Sequence, residues 1–160
     1  MTAGVQRPVL QRGATGNAVQ ELQKLLQSFF IRGALPIDGI FGEVTELQVK
    51  TFQYIFFLKR DGIVGARTWT SLLTRKPPTD LPVLRQGSQS DWVSRVQDFL
   101  AVYLPEQKQY YPGRIDGIFG AQTEAAVREF QQDKRLTADG IVGARTYETL
   151  SLYRLGISNE

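Results

Sequence analysis

The chain contains no histidine and no cysteine. That composition rules out a Ser-His-Asp triad, a Cys-His pair and a histidine-held zinc water. No S-x-x-K or G-x-S-x-G arrangement is present either. The chemistry left to the side chains is glycoside hydrolysis by a pair of carboxylates. Sixteen Asp and Glu residues could supply one. Four of them, Asp38, Asp61, Asp116 and Asp139, each open the same pattern, D-G-I-(F or V)-G-x-x-T. Asp-Gly forms turns, because Asp bonds nearby backbone N–H groups and Gly accepts positive φ. The four aspartates therefore read as turn formers, and the remaining acids scatter over expected helix surfaces. No D-x-D-x-D-G calcium loop occurs, so neither a metal nor a cofactor is expected.

The motif spacing sets the organisation. Asp38 and Asp61 are 23 residues apart, as are Asp116 and Asp139, and the two pairs are offset by 78. The same offset carries Phe52-Gln53 onto Phe130-Gln131, Trp69 onto Tyr147 and Leu72 onto Leu150. Further upstream an offset of 74 pairs Pro8-Val9-Leu10 with Pro82-Val83-Leu84, and Val19, Leu22, Leu26 and Phe29 with Val93, Val96, Leu100 and Tyr103. This is a tandem duplication, with four extra residues in the second copy. The insertion falls in Leu104 to Arg114, whose prolines and glycine suggest a surface loop. Pro-rich residues between the copies suggest a short spacer. The expected division is residues 1–76, a linker 77–82, and residues 83–160.

Each copy must position its motifs with helices. Val19, Leu22, Leu25, Leu26 and Phe29 line one face of a helix. Leu47, Val49, Phe52, Ile55 and Phe56, or Ala125, Ala126, Val127 and Phe130, mark a second. Trp69, Leu72 and Leu73, or Tyr147 and Leu150, mark a short third. The second glycine of each motif stands where a helix N-cap is expected, with Thr in the first turn. The fold class expected is all-α, as two tandem three-helix bundles. Tyr54-Ile55-Phe56-Phe57 carries more apolar surface than one small bundle needs, which suggests a contact between domains.

With 42% apolar and 22% charged residues, the chain can bury a core. Its net charge of +3 is uneven: residues 1–78 carry ten basic and five acidic side chains (+5), residues 79–160 nine and eleven (−2). An anionic polymer would be drawn more to the first half. No stretch has the roughly 18 apolar residues of a membrane span, and Met1 to Pro8 lacks a signal-peptide core. A wall-directed chain would take its export signal from outside these residues; a cytoplasmic one needs none. Nucleic acid is not an expected partner. The G-x-x-G at Gly39–Gly42 and Gly62–Gly65 encloses apolar residues, and no sheet accompanies it.

Together, Leu10-x-x-Gly13, the first amphipathic helix, D-G-I-F-G-x-x-T, Val49-x-x-Phe52-Gln53 and D-G-I-V-G-x-x-T-Trp69-x-x-Leu72 resemble the type 1 peptidoglycan-binding domain, and the second copy matches at Leu84, Gly87, Asp116–Thr123, Phe130-Gln131 and Asp139–Thr146. The resemblance spans about residues 8–152. It implies a non-catalytic three-helix bundle that anchors a wall hydrolase, as partner or parent chain, to peptidoglycan in the cell envelope, periplasm or extracellular space. A similar fold serves as a protease propeptide, so the alternative is a protein-interaction or pro-domain-like unit without glycan binding. The sequence departs from the common pattern at Gln48, where Ala is usual, and at Ala66 and Ala144, where Pro is frequent. Peptidoglycan presents sugar faces and peptide carboxylates, which aromatic platforms and arginine forks recognise. Arg67 and Arg145, at equivalent helix starts, Trp92, off the apolar stripe, and Asp61 and Asp139 are the candidate ligand-binding residues.

Overall fold

The computed structural model describes residues 6–30, 35–102 and 108–157. The chain divides into two units, Met1–Pro78 and Thr79–Glu160. The first holds α1 (Asn17–Phe29), α2 (Glu43–Ile55) and α3 (Ala66–Thr74); the second holds α4 (Asp91–Ala101), α5 (Ala121–Asp133) and α6 (Ala144–Arg154). Among the described residues the only β pairings are four isolated bridges. The protein is all-α, built as two three-helix units in tandem. In the first, α1 packs on α2 and α3; in the second, α4 packs on α5 and α6.

The bridges explain why the segments before α1 and α4 repeat. Leu10 and Val64 exchange two backbone hydrogen bonds, 3.1 and 2.8 Å long, and Leu84 and Val142 do the same at 3.1 and 2.8 Å. Each pair straps the second motif of a unit to its N-terminal segment. The aromatic residue that follows completes the strap: Trp69 Nε1 donates to the Pro8 carbonyl at 2.9 Å, and Tyr147 OH to that of Pro82 at 2.8 Å. Both rings are buried, so each keeps its polar handle satisfied while filling the core.

The first core gathers Val19, Leu22, Leu26, Val49, Phe52 and Leu72, all essentially inaccessible to solvent. Truncating a ring such as Phe52 to Ala would cost about 3–5 kcal/mol. Phe52 is stacked on Phe56 (4.3 Å between centroids) and meets the edge of Phe29 (5.0 Å). Phe56 is thus used inside its own unit, which accounts for part of the apolar surface assigned above to a domain contact. Leu47 and Leu73, expected in the interior, are 58% and 47% exposed. The inner face of α2 runs instead through Thr45, Val49, Phe52 and Gln53.

The second unit departs from the surface-loop expectation. Residues 103–107, including Tyr103, lie outside the described residues, but Tyr110 and Tyr111 are buried. Their N–H groups both donate to the Leu100 carbonyl, at 2.9 and 3.0 Å. The Tyr110 ring then meets the edges of Phe130 (5.2 Å) and Tyr153 (5.7 Å). The longer connection supplies core, because two aromatic side chains gain more from burial than a solvated loop would.

Candidate functional site

Each of the four motifs folds around one buried glutamine. In the first unit Gln53 Nε2 donates to Asp61 Oδ1 at 3.0 Å, to the Ile63 carbonyl at 3.0 Å and towards Thr68 Oγ1 at 3.3 Å, while its Oε1 accepts from Gly62 N at 2.9 Å. Gln131 repeats the set with Asp139 (3.1 Å), Ile141 (2.9 Å), Thr146 (3.2 Å) and Gly140 (2.9 Å). Gln23 on α1 does the same for Asp38, Ile40, Thr45 and Gly39. Gln97 on α4 serves Asp116, Ile118, Thr123 and Gly117, and also reaches Tyr111 OH at 3.3 Å. In all four motifs the aspartate Oδ1 also accepts the N–H of the following isoleucine at 2.9 Å. The motif is therefore an Asx turn clamped by a primary amide, which donates through its nitrogen and accepts through its oxygen at once.

The electrostatics follow from these bonds. The amide of Gln23 and the backbone N–H of Ile40 hold the Asp38 carboxyl below its ordinary range. The N–H of Ile118 and then the Gln97 amide do so for Asp116. In both, Oδ1 is occupied within the turn, as a turn former requires.

The first glycine of the motif carries the strain. Gly62 has φ +76° and Gly117 φ +73°, in the left-handed region, and a Cβ on Gly117 would lie 2.8 Å from Ser94 Oγ. The second glycine does not. Gly42, Gly65, Gly120 and Gly143 are the N-caps of α2, α3, α5 and α6, as the motif implies, with φ between −92° and −109°. A Cβ there meets nothing within 4 Å.

Beside the second motif of each unit lies an open groove. In the first, about 300 Å³ is enclosed by Leu58, Lys59, Asp61, Ile63, Arg67 and Thr68 with Gln53 at its base. In the second, about 350 Å³ is enclosed by Arg135, Leu136, Asp139, Ile141, Arg145 and Thr146 with Gln131 at its base. Position by position, 78 residues apart, the walls are the same side chains, except that Thr137 replaces Lys59 and a second cation enters as Arg135. The N-terminal ends of α3 (Gly65, Ala66) and α6 (Gly143, Ala144) form one rim, where helix N–H groups favour anions and acceptors. Each groove has two cationic side chains and one aspartate. The +5 and −2 charges of the two halves are thus not carried into the grooves. In the first, Lys59 Nζ stands 3.8 Å from Asp61 Oδ2.

The structure brings four of the five candidate residues together in pairs, Asp61 with Arg67 and Asp139 with Arg145, all exposed at the groove walls. Trp92 lines neither groove; it is half-buried on α4 with the Arg95 guanidinium 5.0 Å above its ring. Sequence reasoning missed Lys59 and Arg135, which sit in the turns after α2 and α5, and the clamps Gln23 and Gln97. A polar residue at the same register of two apolar helix faces, 15 and 19 residues before its aspartate, was the available signal. Among the described residues no group of three His, Cys, Asp or Glu side chains could hold a metal ion. Nor is any described helix long and apolar enough to cross a membrane.

The model of the family "Putative peptidoglycan binding domain" matches residues 15–72 and again 93–150. The chain belongs to this family, in two tandem copies. It is similar to the N-acetylmuramoyl-L-alanine amidase CwlL of Bacillus licheniformis, 31% identical over 157 residues that make up 86% of this chain and 44% of the relative. It is also similar to the spore cortex-lytic enzyme of Bacillus subtilis, 46% identical over 69 residues, 42% of this chain and 22% of that one. Among solved structures the SleB N-terminal domain is 38% identical, with 44% of this chain and 94% of that one covered and a TM-score of 0.40. The chain thus spans less than half the length of these curated relatives.

Proposed function

We propose that the chain is a non-catalytic peptidoglycan-binding protein, in which the two grooves hold the wall polymer and the chain anchors or targets a wall hydrolase, as a partner or as the remainder of a longer protein. The observation that carries this reading is the recurrence of one groove at two places 78 residues apart, with glutamine, aspartate, isoleucine, threonine and arginine in the same roles. The isoleucine and leucine walls suit the apolar face of a sugar or a peptide side chain. Arg67 and Arg145 suit a carboxylate. Such a role belongs in the cell envelope or outside the cell. It needs no metal or cofactor, and it offers nothing to nucleic acid.

Co-sedimentation with purified sacculi tests the proposal. The full chain should pellet with the insoluble wall, and a double variant Arg67→Ala, Arg145→Ala should stay largely in solution while keeping its helical circular dichroism. If the wild-type chain does not pellet, the pro-domain-like alternative, a protein-interaction unit without glycan binding, takes its place.

A further inference from the structure

The second unit has a second groove that shares a wall with the one beside its second motif. About 240 Å³ is enclosed by Lys134, Arg135, Arg145, Glu148, Tyr153 and Leu152, with Leu136 and Ile157 completing its apolar wall. Arg135, Leu136 and Arg145 line both grooves, so the two arginines stand between them. Lys134 is held at the rim with Nζ 4.7 Å over the Tyr153 ring. Arg135 takes a left-handed backbone, φ +58°, in the turn that closes α5.

The first unit has Arg67 in the place of Arg145 but lacks the other two cations. The residues 78 positions earlier are Phe56 and Phe57 in place of Lys134 and Arg135, and both rings are fully buried. Arg75, in place of Tyr153, is turned to the Phe29 ring at 4.8 Å and to Ser28 Oγ at 3.1 Å. The unit with the lower overall charge therefore has three cations and a single carboxylate, Glu148, around one pocket.

On the reading that the chain binds peptidoglycan, we infer that this pocket is a subsite of the second unit for the free terminal carboxylate of an uncrosslinked stem peptide, the rest of the peptide lying in the adjoining groove. A carboxylate fits the arginine pair between the pockets, where planar guanidinium groups can hold both oxygens. The aliphatic wall of Leu136, Leu152 and Ile157 accepts the small apolar side chain that precedes it. A volume of about 240 Å³ accommodates one amino-acid residue. The second unit would then distinguish wall ends from crosslinked wall, and the first would not.

Titration of the full chain with a soluble stem tetrapeptide and with its C-terminal carboxamide reads this directly. The free acid should bind about tenfold more tightly, the scale of losing one hydrogen-bonded ionic contact. The variant Lys134→Gln, Arg135→Asn should abolish the preference, Asn being suited to the left-handed backbone, whereas Lys24→Gln, exposed on α1 and outside these three grooves, should keep it. Equal binding of acid and amide, a preference that survives in the Lys134, Arg135 variant, or no binding of either peptide would each overturn the inference. Sacculus co-sedimentation of the same proteins separates these outcomes from a failure of wall binding itself.

Discussion

Gln53 places its side-chain nitrogen 3.0 Å from Asp61 Oδ1, and Gln131 stands 3.1 Å from Asp139 in the same relation 78 residues later. Each glutamine is buried and satisfies a backbone N–H, a backbone carbonyl and a threonine hydroxyl besides the carboxylate. A single amide thereby fixes the floor and one wall of each groove.

Gln53→Leu should destabilise the first unit by at least about 2 kcal/mol, because buried partners lose their bonds. On the scale of one small unit this lowers the melting midpoint by roughly 8–16 °C. Gln53→Glu should be worse, since it presents a second acceptor to the Ile63 carbonyl and to Asp61. Thermal circular dichroism of the three proteins checks the order, which fails if the leucine variant melts with the wild type.

The first and second glycines of the repeated motif should respond differently to a methyl group. Gly62→Ala should cost about 1–2 kcal/mol, for φ +76° and a Cβ 2.9 Å from Lys50 Cε and 3.1 Å from Glu46 Cγ. Gly42→Ala should stay within about 0.5 kcal/mol, because φ is −92° and the site is open. The bulk of the side chain at a helix start does not decide the matter; the sign of φ does. Equal shifts in urea midpoint would contradict this.

Acid should loosen both units through their first motifs. Asp38 and Asp116 are held below the ordinary carboxyl range in the fold, so their contribution is present above the unfolded value of about 3.9 and is lost as pH falls through the lower folded value. Stability measured from pH 5 to pH 2.5 should fall, and the fall should shrink in Asp38→Asn, Asp116→Asn, whose amide oxygens still accept but do not titrate. An undiminished acid slope in the double variant would remove these carboxylates from the explanation.

The purified chain should leave a sacculus suspension at constant turbidity. Its four motif aspartates are committed to turns, and the sequence has no histidine or cysteine to activate a water or a nucleophile. Clearing of the suspension that one carboxylate substitution abolishes would identify an enzyme instead.

Much of the architecture was legible because it repeats. Motif spacing marked the turns, the second glycines marked the N-caps of four helices, and the 3.6-residue stripes of α1 and α4 marked the core. Arg67 and Arg145 were legible as equivalent helix-start cations. Lys59 and Arg135 were not, since they reach the grooves from different positions of equivalent turns and no alignment column pairs them. Gln23 and Gln97 were hidden for another reason: a polar residue on an apolar face reads as an interruption until its partners are brought to it by the fold. Apolar type misled at Leu47, exposed on α2, and loop composition misled at Tyr110 and Tyr111, which the longer connection folds into the core.

The paired grooves are the proposed site of wall-polymer binding. Amide chemical shifts of the full chain, followed while soluble muropeptides are added, test it most directly. The largest changes should map to Ile63 and Arg67 around the first groove and to Ile141 and Arg145 around the second, and Arg67→Ala, Arg145→Ala should suppress them. Changes centred elsewhere, for example around Trp92, or binding that survives the double variant unchanged, would contradict it.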